Sequence, residues 1–168
     1  MEVTLAAICP YDWHGFFEKL IYQPNPNAPV GGLEAAGWHL VYNDTPNNEP
    51  FYALGDDKSN YEAWYSIGLG AKKDGVVMDV LPGTPAYEAG LGPQMTIIAV
   101  NGRVYSTDVL NEAIAHPKDG KITLVVKNFD SVETRELRYG GGLRYPHLER
   151  IPDSRDYLTE ILKTKNEK

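Results

Sequence analysis

Four histidines (His14, His39, His116 and His147) and one cysteine, Cys9, are the side chains of this sequence best suited to metal binding or nucleophilic chemistry. No two of the histidines stand three or four residues apart, whereas zinc sites ordinarily show at least one close pair of ligands on one element. Their placement fits surface or packing histidines better than a metal site. A single cysteine forms no intrachain disulfide and cannot build a Cys₄ zinc centre. Cys9 precedes Pro10 and has no basic neighbour to stabilise a thiolate, so it is expected as a small buried apolar group. No G-x-S-x-G, P-loop or G-x-G-x-x-G stands between a strand and a helix. Gly140–Gly142 reads as a hinge. The chain itself is therefore expected to be non-catalytic, with no metal or cofactor of its own.

Charge narrows the partners. Sixteen basic and 23 acidic residues among 168 give a net charge of −7. The excess acid sits mostly in the first 60 residues, where Lys19 and Lys58 are the only basic residues. No basic stripe exists, which argues against nucleic acid or an anionic membrane as partner. No apolar run approaches the roughly 18 residues of a membrane span. The start, MEVTLAAICPYDWHGFF, lacks the basic region of a signal peptide. Hydrophobic residues at 42% place the chain in the globular range.

The elements that must position any site change character near residue 60. Before it lie six of the twelve prolines and only short elements. Asp12 can cap a helix over Trp13–Ile21, with Phe16, Phe17, Leu20 and Ile21 as its apolar stripe. Val30–Ala36 predicts a second helix, closed by Gly37 in a left-handed conformation. WHLVY, Trp38–Tyr42, predicts a strand. From Tyr61 onward the pattern is short strands with regular punctuation. Ala63–Leu69 and Gly75–Leu81 read as strands. Thr84 and Pro85 open a short helix that Gly90 stops. Asn101-Gly102 breaks Thr96–Tyr105 as a two-residue hairpin turn. Ser106 or Thr107 caps a helix through His116. Lys121–Asn128 and Val132–Tyr139 alternate as strands around a turn. Asp153 or Ser154 caps a last helix through Leu162, after which KTKNEK frays. The expected class is α+β, mostly β: a partly open barrel or sandwich of five or six short strands with two helices, plus a helical N-terminal flank.

Within that region, Ser66-Ile67-Gly68-Leu69, the stretch Val80-Leu81-Pro82-Gly83-Thr84-Pro85-Ala86 with Ala89-Gly90-Leu91, and Ile97-Ile98-Ala99-Val100-Asn101-Gly102 follow one another in the order of a known pattern. The segment resembles a PDZ domain of the bacterial kind, as found in trypsin-like heat-shock proteases. One departure is Gly92-Pro93-Gln94-Met95, where many such domains carry G-D and an aliphatic residue. The flanks, Tyr11–Phe17 with Leu33–Leu40 before and Tyr145–Pro152 after, are similar to the C-terminal region of the glycyl aminopeptidase family of zinc metallopeptidases. That resemblance implies a peptidase-like tail over residues 1–60, a PDZ domain over 61–145 and a C-terminal extension with a short helix over 146–168. The family's H-E-x-x-H motif is not in this sequence, so its zinc is expected in a catalytic domain that this chain does not contain.

What the PDZ resemblance implies is peptide binding by β-augmentation, with peptide or protein C-termini and the linked peptidase domain as partners. The implied site is Ser66, Ile67, Gly68, Leu69, Leu110 and Ile114. Backbone N–H groups of Ile67, Gly68 and Leu69 would converge on a terminal carboxylate, and Gly68 would permit the required dihedrals and its close approach. Ile67, Leu69, Leu110 and Ile114 would line the pocket of the last side chain, or serve as core, or both. Trp13 and Trp38 read as packing residues. Trp64 would shield one end of the groove or pack. The alternative is a structural or interaction domain whose groove is filled by a segment of the chain itself, within 1–60 or 146–168.

Overall fold

The computed structural model describes residues 2–24, 29–47 and 60–163. The sequence places a helix break over Gln23–Pro29 and loops over Asn43–Pro50 and Leu54–Asn60; part of each, and the end of the closing KTKNEK, lies outside the described residues. The chain divides into two compact units: Met1–Leu40 with Leu148–Lys168, and Val41–His147.

The first unit is helical, as its short apolar stripes require. A helix not anticipated from the sequence, α1 (Glu2–Ile8), opens it. Next comes α2 (Trp13–Phe17), where the Asp12 carboxylate accepts the Gly15 N–H at 2.9 Å. It widens into a π-helical turn over Glu18–Tyr22, so the expected helix is present but changes its winding. The rings of Tyr11, Trp13, Phe16 and Phe17 pack edge-on, with centroids 5.2–6.0 Å apart for the T-shaped pairs. Cys9 is exposed, contrary to expectation. It lies just past α1, whose residues bury nothing, and its carbonyl accepts the Trp13 indole N–H at 3.0 Å.

In the same unit, α3 (Gly31–Ala35) ends at Gly37, whose φ is +87°. The Gly37 carbonyl accepts N–H groups from Ile151 (3.0 Å) and Arg150 Nη1 (2.6 Å). The final helix, α6 (Tyr157–Leu162), is capped by Asp156 rather than by Asp153 or Ser154. Asp156 Oδ1 accepts the Thr159 N–H at 2.9 Å and the Trp38 indole N–H at 3.0 Å. Hydrogen bonds to the ionised form hold this carboxyl down at about 2, the Thr159 N–H contributing most.

Two strands pair as a separate ribbon: β1 (Trp38–Asn43), as the sequence predicts, and β9 (Tyr145–Arg150), which it does not. The second unit holds two open sheets. One is β2 (Asn60–Ala63), β3 (Leu69–Lys72) and β4 (Val77–Val80), antiparallel in that order. The other runs β6 (Arg103–Val104), β5 (Thr96–Val100), β7 (Lys121–Asn128), β8 (Ser131–Arg138), again antiparallel. Asn101 and Gly102 both take positive φ, 49° and 78°, as a type I′ hairpin turn demands. The fold is α+β, mostly strand, with open sheets rather than a closed barrel.

Two helices flank these sheets. α4 (Pro85–Glu88) starts with proline at its first position, and Gly90 follows it at φ +76°. Thr84 does not cap it through its side chain; the hydroxyl donates instead to the Leu81 carbonyl at 2.6 Å. α5 (Thr107–Ala115) is capped by Ser106, whose Oγ accepts the Val109 N–H at 3.2 Å. One continuous core joins sheets and helices, with Ile67, Leu69, Ile97, Leu110, Ile114 and Leu124 fully enclosed. On β7 the inward residues are Ile122, Leu124 and Val126, the period of two that a one-sided strand needs.

Candidate functional site

The stretch expected as one strand, Ala63–Leu69, is two strand ends and a turn. β2 stops at Ala63, the chain turns over Trp64–Ile67, and β3 starts at Leu69. The reason is Gly68, whose φ of +73° reverses the backbone. Tyr61 pairs with Ala71, and Ala63 with Leu69. β3 therefore has β2 on one edge and β4 on the other.

The turn is held from both sides. Its carbonyls face the Leu81–Ala86 segment: Ile67 O accepts the Ala86 N–H and Gly68 O the Leu81 N–H, both at 2.9 Å. Across the planar peptide unit that joins it to Ile67, the Gly68 N–H points away from the Ile67 carbonyl. It and two others converge on one atom, the Ala63 carbonyl oxygen: Ile67 at 3.0 Å, Gly68 at 3.1 Å and Ser66 at 3.3 Å. The donor set thus lies one residue earlier than expected, because Leu69 already belongs to the ladder. An added Cβ on Gly68 would fall inside the Thr84 side chain, so glycine is demanded here by Thr84 as well as by φ.

The expected site residues fall into three roles. Ile67, Leu69, Leu110 and Ile114 come together as fully buried members of the core, and the methyl of Ala63 belongs to the same cluster. Ser66 is buried, and its Oγ accepts the Arg144 N–H at 3.0 Å, so its side chain pins the turn. Gly68 supplies the reversal. Three further residues were missed: Ala63, Tyr61 and Asn111. Tyr61 and Ala63 share a face of β2. The half-buried Tyr61 ring packs against the core, and its hydroxyl donates to Asn111 Oδ1 on α5 at 2.7 Å. Burial pushes the Tyr61 phenol well above its ordinary range, with Tyr145 and Tyr105 nearby adding to the effect. Alternation in N-Y-E-A was the available signal, hidden by assigning Ala63 to the following strand.

Beside this junction lies a cavity of about 180 Å³, lined by Tyr61, Ala63, Trp64, Ser66, Asn111 and Arg144 among others. Trp64 is partly buried there, and its indole N–H has no partner among the described residues. Arg144 stacks on the Tyr42 ring at 4.8 Å, and Tyr42 in turn contacts Tyr65 at 5.5 Å.

Among the described residues no group of three or more His, Cys, Asp or Glu is placed to hold a metal ion. His147 instead contacts the Thr45 carbonyl at 2.8 Å, and His14 lies 3.5 Å from Glu2. No described helix is long and apolar enough to cross a membrane.

This arrangement is similar to solved structures. An aminopeptidase N family protein from Idiomarina loihiensis superposes on 97% of this chain with a TM-score of 0.61 at 19% identity. The chain spans 28% of that protein's length, and the likeness is one of fold. The HtrA3 PDZ domain, solved bound to the phage-derived ligand FGRWV, aligns over 67% of this chain and 91% of its own with a TM-score of 0.35 at 18% identity. No protein-family model matches the sequence. No curated protein matches it either.

Proposed function

We propose that Val41–His147 is a peptide-binding module of the PDZ kind, non-catalytic in itself, serving a peptidase-like protein. An extended peptide takes the place of β2 antiparallel on β3, faces α5 and delivers its C-terminal carboxylate to the N–H groups of Ser66, Ile67 and Gly68. The observation that carries this reading is the convergence of those three N–H groups on a single oxygen. Preorganised main-chain donors suit an anion better than a neutral carbonyl. Ladder bonds along β3 would supply affinity that any sequence can share, and the alternate side chains would supply selectivity. Affinity is weak, on the order of micromolar, because the contact is small and the peptide orders on binding. The peptidase setting is supported by the Idiomarina loihiensis protein, whose fold the chain matches over 28% of its length.

A second reading is favoured by β2 itself: an interaction or structural domain whose groove is permanently filled by the chain's own strand. Calorimetric titration of the full chain with paired peptides separates the two. Free-acid peptides with an apolar last residue should bind, and their C-terminal amides should not. Equal binding by both forms removes carboxylate capture, and no binding by either favours the filled groove.

A further inference from the structure

We infer that Asn60–Ala63 is a tethered occupant of the peptide groove, and that its side chains spell the ligand: chains ending in Tyr-x-Ala enter by displacing it. This rests on the peptide-binding reading above. β2 has the polarity a captured C-terminus needs. It runs antiparallel to β3, and its last residue puts a carbonyl oxygen on the three converging N–H groups. A terminal carboxylate has one oxygen more than Ala63 offers there, and a full negative charge. It would therefore make the stronger, charge-assisted version of the same contact.

The occupant also shows what the groove accommodates. Its last side chain is a methyl, enclosed among core residues that leave it only 7% exposed. Two residues earlier, on the same face, a tyrosine hydroxyl reaches Asn111 at 2.7 Å. Leu69, Leu110 and Ile114 are themselves fully buried, so a large terminal residue would have to displace core. A small last residue with tyrosine two places before it fits without rearrangement. The occupant is joined to the donors by a single turn. It competes at an effective concentration far above that of a free peptide, roughly millimolar or more. A free chain then binds in proportion to the fraction of molecules with β2 out of the groove.

The test uses the full chain and the acetylated peptide Ser-Asn-Tyr-Glu-Ala with a free C-terminus. Amide hydrogen exchange is measured alongside. Without peptide, the N–H groups of Ser66, Ile67 and Gly68 should be protected. A Tyr61→Ala chain should bind the peptide about tenfold tighter or more than the unaltered chain, since its occupant has lost ring and hydroxyl. If Tyr61→Ala fails to fold by circular dichroism, Asn111→Leu replaces it. The probe is then Ser-Asn-Phe-Glu-Ala, whose phenylalanine needs no partner on α5, and a gain of severalfold is expected. Equal affinity in altered and unaltered chains would overturn the inference and leave the peptide-binding reading standing. Unprotected N–H groups in the free chain would also overturn it. No binding by any chain, with protection intact, would remove the peptide-binding reading and this inference with it.

Discussion

Gly68 carries two constraints that pull in one direction. Its φ of +73° is a conformation in which a Cβ costs roughly 1–2 kcal/mol, and the space a Cβ needs is taken by Thr84. Gly68→Ala should therefore lower stability by more than that conformational cost alone. Thr84→Gly in the same chain should return part of the loss, and urea unfolding of the three chains reads both effects. A Gly68→Ala chain as stable as the parent would mean the turn is not built as described. The positive φ is the dihedral freedom expected of this glycine, and the missing Cβ also leaves room for Thr84. Leu110 teaches a similar lesson. It is fully enclosed, so Leu110→Lys would report on folding rather than on peptide affinity.

At the scale of elements, sequence punctuation located most of the second unit. Pro85, Gly90, the Asn101-Gly102 turn and Ser106 each act through local backbone chemistry, and each sits where its chemistry requires. β9 escaped because its pairing partner β1 lies far back along the chain, and β2 because Ala63 reads as the start of the strand that follows it. Tyr145–Arg150 carries no strong periodic signal by itself. α6 escaped by a few residues for a related reason. Asp156 is selected as its cap by Trp38, 118 positions away, which shares its carboxylate. That cap has a pH signature. The folded state holds Asp156 at about 2, below the ordinary 3.8. Its stabilisation is then complete above about pH 4 and is lost as pH falls toward 2. The Trp38 indole N–H resonance should shift with a midpoint near pH 2, and Asp156→Asn, which keeps an acceptor, should abolish the transition. A midpoint near 4 would mean the carboxylate is not engaged.

For the whole molecule, the division into two compact units separates two kinds of legibility. The second unit has a continuous core and a motif order that points to its fold before any coordinates. The first is short helices with exposed apolar side chains, among them Val3, Ile8, Ile21 and Tyr22, and propensity says little about what covers them. Ile67, Leu69, Leu110 and Ile114 were picked out in the sequence, and the structure brings these four together in one core. The strand lying along β3 was not legible, because an expected ligand and a resident strand look the same from sequence: both are short, extended and sequence-tolerant. If the N–H groups of Ser66, Ile67 and Gly68 receive a peptide's carboxylate beside β3, amide NMR of the chain titrated with a free-acid peptide shows it. The largest shifts should fall on Ser66, Ile67, Gly68 and the β3 amides, and should vanish when the peptide is amidated. Binding whose largest shifts lie elsewhere, or that is indifferent to amidation, would rule out carboxylate capture at this turn.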